Sequence, residues 1–155
     1  MMETQTKPRL VGINHVALEV GDVEAALAFY GAIFSFTLRG SHNDADGRRT
    51  MAFIDMGDQF LALMEGRTQQ PDDHRHFGLV IDDRSQVRDL AQAAGATLLE
   101  GPFLDFLDPW GNRIEVVEYR DIQFMKTDSV LRAMSLDLDK TDAAKAELRK
   151  KDVKI

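Results

Sequence analysis

A chain of 155 residues, 44% hydrophobic and 29% charged, holds about one domain, or two small modules that share one core. A formal net charge of −7 argues against nucleic acid or an anionic membrane surface as the main partner, and the absence of cysteine excludes disulfides and thiolate metal ligands. No apolar run approaches the roughly 20 residues that span a bilayer, and the start METQTKPRL lacks the apolar stretch of a signal peptide, so a cytoplasmic protein is expected.

Residues 1 to about 9 read as a loose tail ending near Pro8. A strand is expected over 11–20, with His15, Ala17 and Glu19 on one face and Val16, Leu18 and Val20 on the other. Asp22 is placed to cap a helix whose apolar stripe is Val23, Ala26, Leu27, Tyr30 and Phe34. A polar loop over 41–49 precedes two strands, 50–56 and 59–65, that turn at Gly57-Asp58. A polar linker, 66–73, then gives way to a second pass through the same order: a strand over 76–81, Asp83 as cap with Gln86 in a capping box, and a helix stripe of Val87, Leu90, Ala91 and Ala94 stopped by Gly95. Strands over 97–100, 103–107 and 112–119 complete it, the last two joined through Pro109-Trp110-Gly111. Beyond Tyr119 the alternation of Met134, Leu136 and Leu138 suggests one more strand. A helix over 141–151 follows, with Glu147 and Lys151 spaced to pair and basic residues in its last turn.

Each pass is a β-α-β-β-β unit too small to bury its own sheet face, so two units completing one core are the natural arrangement. The division expected is a single domain over 1–120, made of modules at about 11–66 and 75–120, followed by an extension over 121–155 that forms an extra layer or a dimer clasp.

The duplication has a frame. His76 and Asp83 follow His15 and Asp22 by the same 61 residues, and Asp108 and Glu118 follow Asp55 and Glu65 by the same 53. In the second frame Glu115 falls where the first module has Ala62. Imidazole and carboxylate are the ordinary ligands of a catalytic divalent metal when thiolates are absent. His15 and His76 on equivalent first strands and Glu115 on a last strand could converge in a cupped sheet, leaving coordination positions open. Glu115 lies among Ile114, Val116 and Val117, where a carboxylate is costly unless paired or coordinated. Phe53, Phe60, Met64 and Phe103 are candidate lining for a substrate. His42 and Tyr119 are candidate catalytic groups. Arg48 and Arg49 could meet an anionic substrate, although a solvated loop edge is the simpler role.

The segments INHVALEVGDVEAALAFY, HFGLVIDD and DPWGNRIEVVEY resemble the vicinal oxygen chelate superfamily, the glyoxalase, bleomycin-resistance and extradiol-dioxygenase group, across about residues 11–120. The resemblance implies an α+β fold of paired βαβββ modules forming a cupped mixed sheet. It also implies a divalent metal, Fe(II), Mn, Zn, Ni or Co, held by His15, His76 and Glu115. Glyoxalase I members use a second glutamate where this chain has Ala62. Fosfomycin thiol transferases carry a potassium loop for which GPFLDFLDPWGN is too short. Bleomycin-binding members lack the metal ligands. The expectation is therefore a small-molecule metalloenzyme, a homodimer, whose metal polarises substrate oxygens or activates dioxygen; the alternative is a metal-free protein that binds or sequesters a small molecule.

Overall fold

The computed structural model describes residues 7–155. The first module runs β1 (His15–Val20), α1 (Val23–Ile33), β2 (Thr37–Asn43), β3 (Arg49–Asp55) and β4 (Phe60–Glu65). The second runs β5 (Phe77–Ile81), α2 (Val87–Ala93), β6 (Thr97–Leu98), β7 (Leu104–Leu107) and β8 (Arg113–Glu118). Each module makes one four-stranded mixed sheet, in the orders β1-β4-β3-β2 and β5-β8-β7-β6. The paired α+β modules expected from the repeat are present.

Strand pairing fixes the repeat frame residue by residue. Ala17 lies opposite Ala62 in the parallel β1–β4 pair, and Gly78 lies opposite Glu115 in the parallel β5–β8 pair. Ala62 and Glu115 therefore occupy the same position in the two sheets. One edge strand escaped the sequence reading: β2 runs through 41–43, which read as loop, and pairs with β3 through two register shifts. Its side chains are nearly all exposed, so it carries no apolar alternation to announce it.

Helix α1 starts where Asp22 accepts from the Ala25 amide at 2.7 Å and buries Val23, Ala26, Phe29, Tyr30 and Ile33. The capping box expected in the second module does not form. Asp83 instead accepts from the amide of Ser85, and Gln86 takes the cap position without a side-chain bond.

Leu61 and Leu63 of β4, Ile114 and Val116 of β8, and residues of both helices belong to one buried cluster. Phe29 of α1 reaches Phe106 of β7, with ring centroids 6.3 Å apart. Each sheet thus turns its helix-covered face to the common core, and side-chain alternation turns the face bearing His15 or Glu115 away from it.

The turn before β8 ties the modules together. Asp108, buried, accepts from the amides of Trp110 (2.9 Å) and Asn112 (2.8 Å), from Asn112 Nδ2 (2.7 Å), and from the Tyr30 hydroxyl of α1 (2.9 Å). Asn112 Nδ2 also donates to the Glu19 carbonyl of β1 at 3.0 Å. Burial first, then the charge and hydrogen bond of Asp108, hold the Tyr30 phenol well above its ordinary pKa, so it remains a donor.

After a 3₁₀ turn at Tyr119–Asp121 the extension forms α3 (Asp128–Ala133) and α4 (Asp142–Arg149), each capped by a threonine, Thr127 and Thr141. No strand forms over 134–138. Ser135 adopts φ 58°, which ends α3 and breaks the alternation. Glu147 pairs with Lys150 at 2.6 Å rather than with Lys151. The extension clasps its own chain: Lys126 pairs with Asp58 in the β3–β4 turn, and Lys140 lies 3.6 Å from the Tyr119 ring centroid while donating to the Tyr119 and Ile122 carbonyls.

Candidate metal centre

His76 immediately precedes β5, and Glu115 lies on the neighbouring β8, on the face turned from the core. The His76 Nε2 and Glu115 Oε2 atoms are 3.3 Å apart, and their side chains are 40% and 22% exposed, so the pair is open to solutes. The other ring nitrogen of His76, Nδ1, is 2.8 Å from the His74 carbonyl oxygen. A carbonyl can only accept, so Nδ1 carries the proton. In the neutral ring the Nε2 lone pair then faces a carboxylate oxygen. Two acceptors at that separation need a cation between them, either a proton on Nε2 or a metal ion.

His15 is prepared in the same way. Its Nδ1 is 2.8 Å from Asn14 Oδ1, which leaves Nε2 as the free lone pair, and its ring stacks on Phe60 with centroids 4.6 Å apart and planes 11° apart. An oxygen acceptor on Nδ1 that frees Nε2 is the ordinary environment of a metal-binding imidazole. The donor set thus fits a divalent metal, with His76 and Glu115 as one half and His15 as the other. The halves are not joined within the chain: among the described residues no three His, Asp or Glu side chains are grouped to hold a metal ion. The reason is the fold, since each sheet presents these side chains away from the shared core.

Among the described residues β1 and β5 each have a strand on one side only. Their free edges border a single open cleft of about 1340 Å³ that both His15 and His76 line.

The candidate substrate residues divide. Phe53, Phe60 and Met64 share the His15 face of the first sheet, with Phe53 opposite Ala62 and Phe53 and Phe60 edge to face at 5.7 Å. Phe103 stands apart, 59% exposed, in a groove with Arg84, Arg88 and Asp89 of the second module. His42 packs edge-on against Phe53 at 5.6 Å, on the first-module face. Tyr119 is buried between Lys140 and Phe124, in contact with the extension. Arg48 is paired with Glu65 and Asp44, and Arg49 with Glu24, so neither is free for an anion.

Sequence reasoning missed three contributors. Asn14 and the His74 carbonyl orient the two histidines, and Arg39 lies over the aromatic floor, 4.6 Å from the Phe60 centroid and 5.9 Å from that of Phe53. No sequence signal announced the last, since Arg39 is inserted at a register shift in an edge strand with almost no buried face.

Residues 12–116 match the family model described as the Glyoxalase/Bleomycin resistance protein/Dioxygenase superfamily. Glutathione transferase FosA of Serratia marcescens is 27% identical over 119 residues, covering 69% of this chain and 80% of that protein. An uncharacterised protein of Pseudomonas aeruginosa, PA2024, is 29% identical over 121 residues, covering 66% and 85%. Among solved structures, a mutant of the fosfomycin resistance protein FosX from Listeria monocytogenes, complexed with Mn(II) and 1S,2S-dihydroxypropylphosphonic acid, superposes with TM-score 0.60 at 21% identity, covering 70% of this chain and 92% of that one. FosX from Mesorhizobium loti gives TM-score 0.58 at 18% identity, covering 81% and 99%. At those identities the likeness is one of fold.

Proposed function

Because this chain belongs to the Glyoxalase/Bleomycin resistance protein/Dioxygenase superfamily, we propose that it is a small-molecule metalloenzyme whose centre is built from two copies of the chain, His15 of one copy joining His76 and Glu115 of the other. The observation that carries this reading is the confrontation of two acceptors, His76 Nε2 and Glu115 Oε2, at 3.3 Å with the His76 tautomer fixed from behind. A divalent metal relieves it. Bound there, the metal would supply a Lewis acid for substrate oxygens.

The chain's own residues do the rest. Asn14 and the His74 carbonyl hold the imidazoles in the tautomer that binds metal. Phe53 and Phe60 form an apolar floor that lowers the local dielectric around the substrate. Ala62 leaves a methyl group at the position equivalent to Glu115, so that position supplies no second carboxylate to move a substrate proton, which argues against four-ligand isomerisation. The free edges of β1 and β5 support a symmetric partner, since strands with one side unpaired beside an open cleft invite pairing with another chain. The presence of Mn(II) in the FosX complex supports a first-row divalent ion.

The test is Mn(II) binding by tag-free protein, read by electron paramagnetic resonance, for the wild type, His15→Ala and Glu115→Ala. Both variants should lose the tight site. Refolding the two variants together should restore about a quarter of the wild-type sites, because a mixed dimer holds one intact centre and one doubly damaged one. Full binding in either single variant would refute the ligand set. Loss without restoration would refute the shared centre.

A further inference from the structure

Arg39 enters the strand β2 register at a shift: Leu38 lies opposite Ile54, and Gly40 opposite Phe53, so Arg39 is the inserted residue. A bulge re-aims the side chain it carries. Here the guanidinium comes to rest 4.6 Å from the centroid of Phe60, the ring that also stacks on His15. The neighbouring arginines are committed elsewhere, Arg48 to Glu65 and Arg49 to Glu24. Among the described residues, no carboxylate lies within salt-bridge distance of Arg39 and its side chain makes no hydrogen bond. Arg39 is exposed, so what sets it apart from other exposed cations is its position over Phe60, the ring that stacks on His15. With no hydrogen bond made within the described residues, the guanidinium keeps its N–H donors available, and such a fork can take an oxyanion through two parallel hydrogen bonds.

The floor around it is apolar. Phe53 lies opposite Ala62 and Met51 opposite Met64, all on the His15 face. We propose that Arg39 is the anion anchor of the substrate site and that the substrate is an oxyanion, a carboxylate or a phosphonate, carried on an aryl or alkyl body that lies over Phe53 and Phe60. This inference rests on the metal-centre reading for the identity of the site. It extends that reading by assigning the substrate class and the residue that selects it.

The experiment is calorimetric titration of the full chain, with and without Mn(II), using phenylphosphonate, benzoate, benzyl alcohol and inorganic phosphate as probes. One or both aryl anions should bind at least about 10-fold more tightly than benzyl alcohol, the discrimination expected of a charge-assisted pair. Which of the two binds better distinguishes phosphonate from carboxylate recognition. Arg39→Gln should weaken the aryl anions by about 10-fold or more while leaving benzyl alcohol within about 2-fold, and Arg39→Lys should fall between, because a lysine lacks the fork. Arg48→Gln should change nothing. Failure of both aryl anions to bind wild type, unchanged anion affinity in Arg39→Gln, or inorganic phosphate binding as tightly as phenylphosphonate would overturn the proposal. Arg39→Gln should keep the Mn(II) affinity of the wild type, so loss of metal and loss of anion are separable. A chain that binds aryl anions through Arg39 but no Mn(II) would refute the metal centre alone.

Discussion

Replacing Asp108 with alanine should be among the most damaging single changes in the molecule, although Asp108 touches neither ligand half. Its carboxylate accepts four hydrogen bonds: from Tyr30 at 2.9 Å, Asn112 Nδ2 at 2.7 Å, and the amides of Trp110 and Asn112 at 2.9 and 2.8 Å. Tyr30 and Asn112 are buried, so water cannot simply take the place of the lost acceptor. A hydrogen bond to a charged group contributes roughly 1.5–3 kcal/mol, and a buried donor stranded by truncation costs about 1–3 kcal/mol. The four bonds share one partner and do not add, and Asn112 Nδ2 keeps the Glu19 carbonyl. A loss of about 3–5 kcal/mol is therefore expected, a large part of the roughly 5–15 kcal/mol that stabilises an ordinary domain. At about 2–4 °C per kcal/mol, Tm should fall by roughly 6–20 °C. Tyr30→Phe removes one bond and leaves Asp108 three donors, so about 1–2 kcal/mol is expected. The assay is guanidinium denaturation of wild type, both single variants and the double variant. A cost below about 1 kcal/mol for Asp108→Ala, or no coupling between the two sites in the cycle, would refute the reasoning that this turn joins the modules.

Gly21→Ala should destabilise by about 1–3 kcal/mol, since a Cβ there would stand 2.6 Å from Trp110 Nε1 and the indole packs edge to face on Phe29 at 6.4 Å; thermal melts check it. Acid should loosen the extension first. The hydrogen bond from Lys126 holds the Asp58 carboxyl below its ordinary 3.8, so this contribution is present above about pH 4 and is lost as pH falls through the lower folded-state value. Amide exchange in α3 should rise in that window for the wild type and be already raised at pH 7 in Asp58→Asn. Lys140→Met should free α4, because it removes two hydrogen bonds to the carbonyls of Tyr119 and Ile122, and limited proteolysis should then cut within 134–141 faster than in the wild type.

Much of this was legible in the chain because strand side chains alternate with period 2. The alternation through His15, Ala17 and Glu19 placed those three on one face of β1, and the constant offsets placed Ala62 against Glu115, as the strand registers have them. What stayed hidden was of another kind. Strand β2 has almost no buried face, so nothing in its composition separates it from a loop. The apolar residues over 134–138 alternate like a strand, but Met134 closes α3, and the left-handed Ser135 that follows breaks the path of the chain. Above all, a sequence names the face a residue occupies without saying which face of one module meets the other. That choice is made by Phe29, Tyr30 and Phe106, whose packing puts the helix-covered faces inward and leaves His15 and the His76–Glu115 pair on faces turned away from the core.

The same register that equates Ala62 with Glu115 makes a broader equation. Phe53 stands opposite Ala62 as Asp105 stands opposite Glu115, and the offset that carries Ala62 to Glu115 carries Phe60 to Arg113. At three equivalent positions the first module therefore offers Phe, Ala and Phe, and the second Asp, Glu and Arg. In the second module Arg113 is bound to Asp105 and to the Asp73 carbonyl, which steadies the segment that carries His76. In the proposed shared centre one sheet would supply the charged half and the other the apolar half, each with one histidine at the same repeat position. The first module has the Ala62 methyl where the second has the Glu115 carboxylate, and the second has charged Asp105 and Arg113 where the first has the rings of Phe53 and Phe60. In the proposed dimer, pairing two copies so that unlike halves face each other would bring the three donors and an apolar floor together twice, on opposite sides of the symmetry axis. Pairing like halves would bury Phe53 and Phe60 against themselves and set Glu115 against a second Glu115, which charge repulsion disfavours.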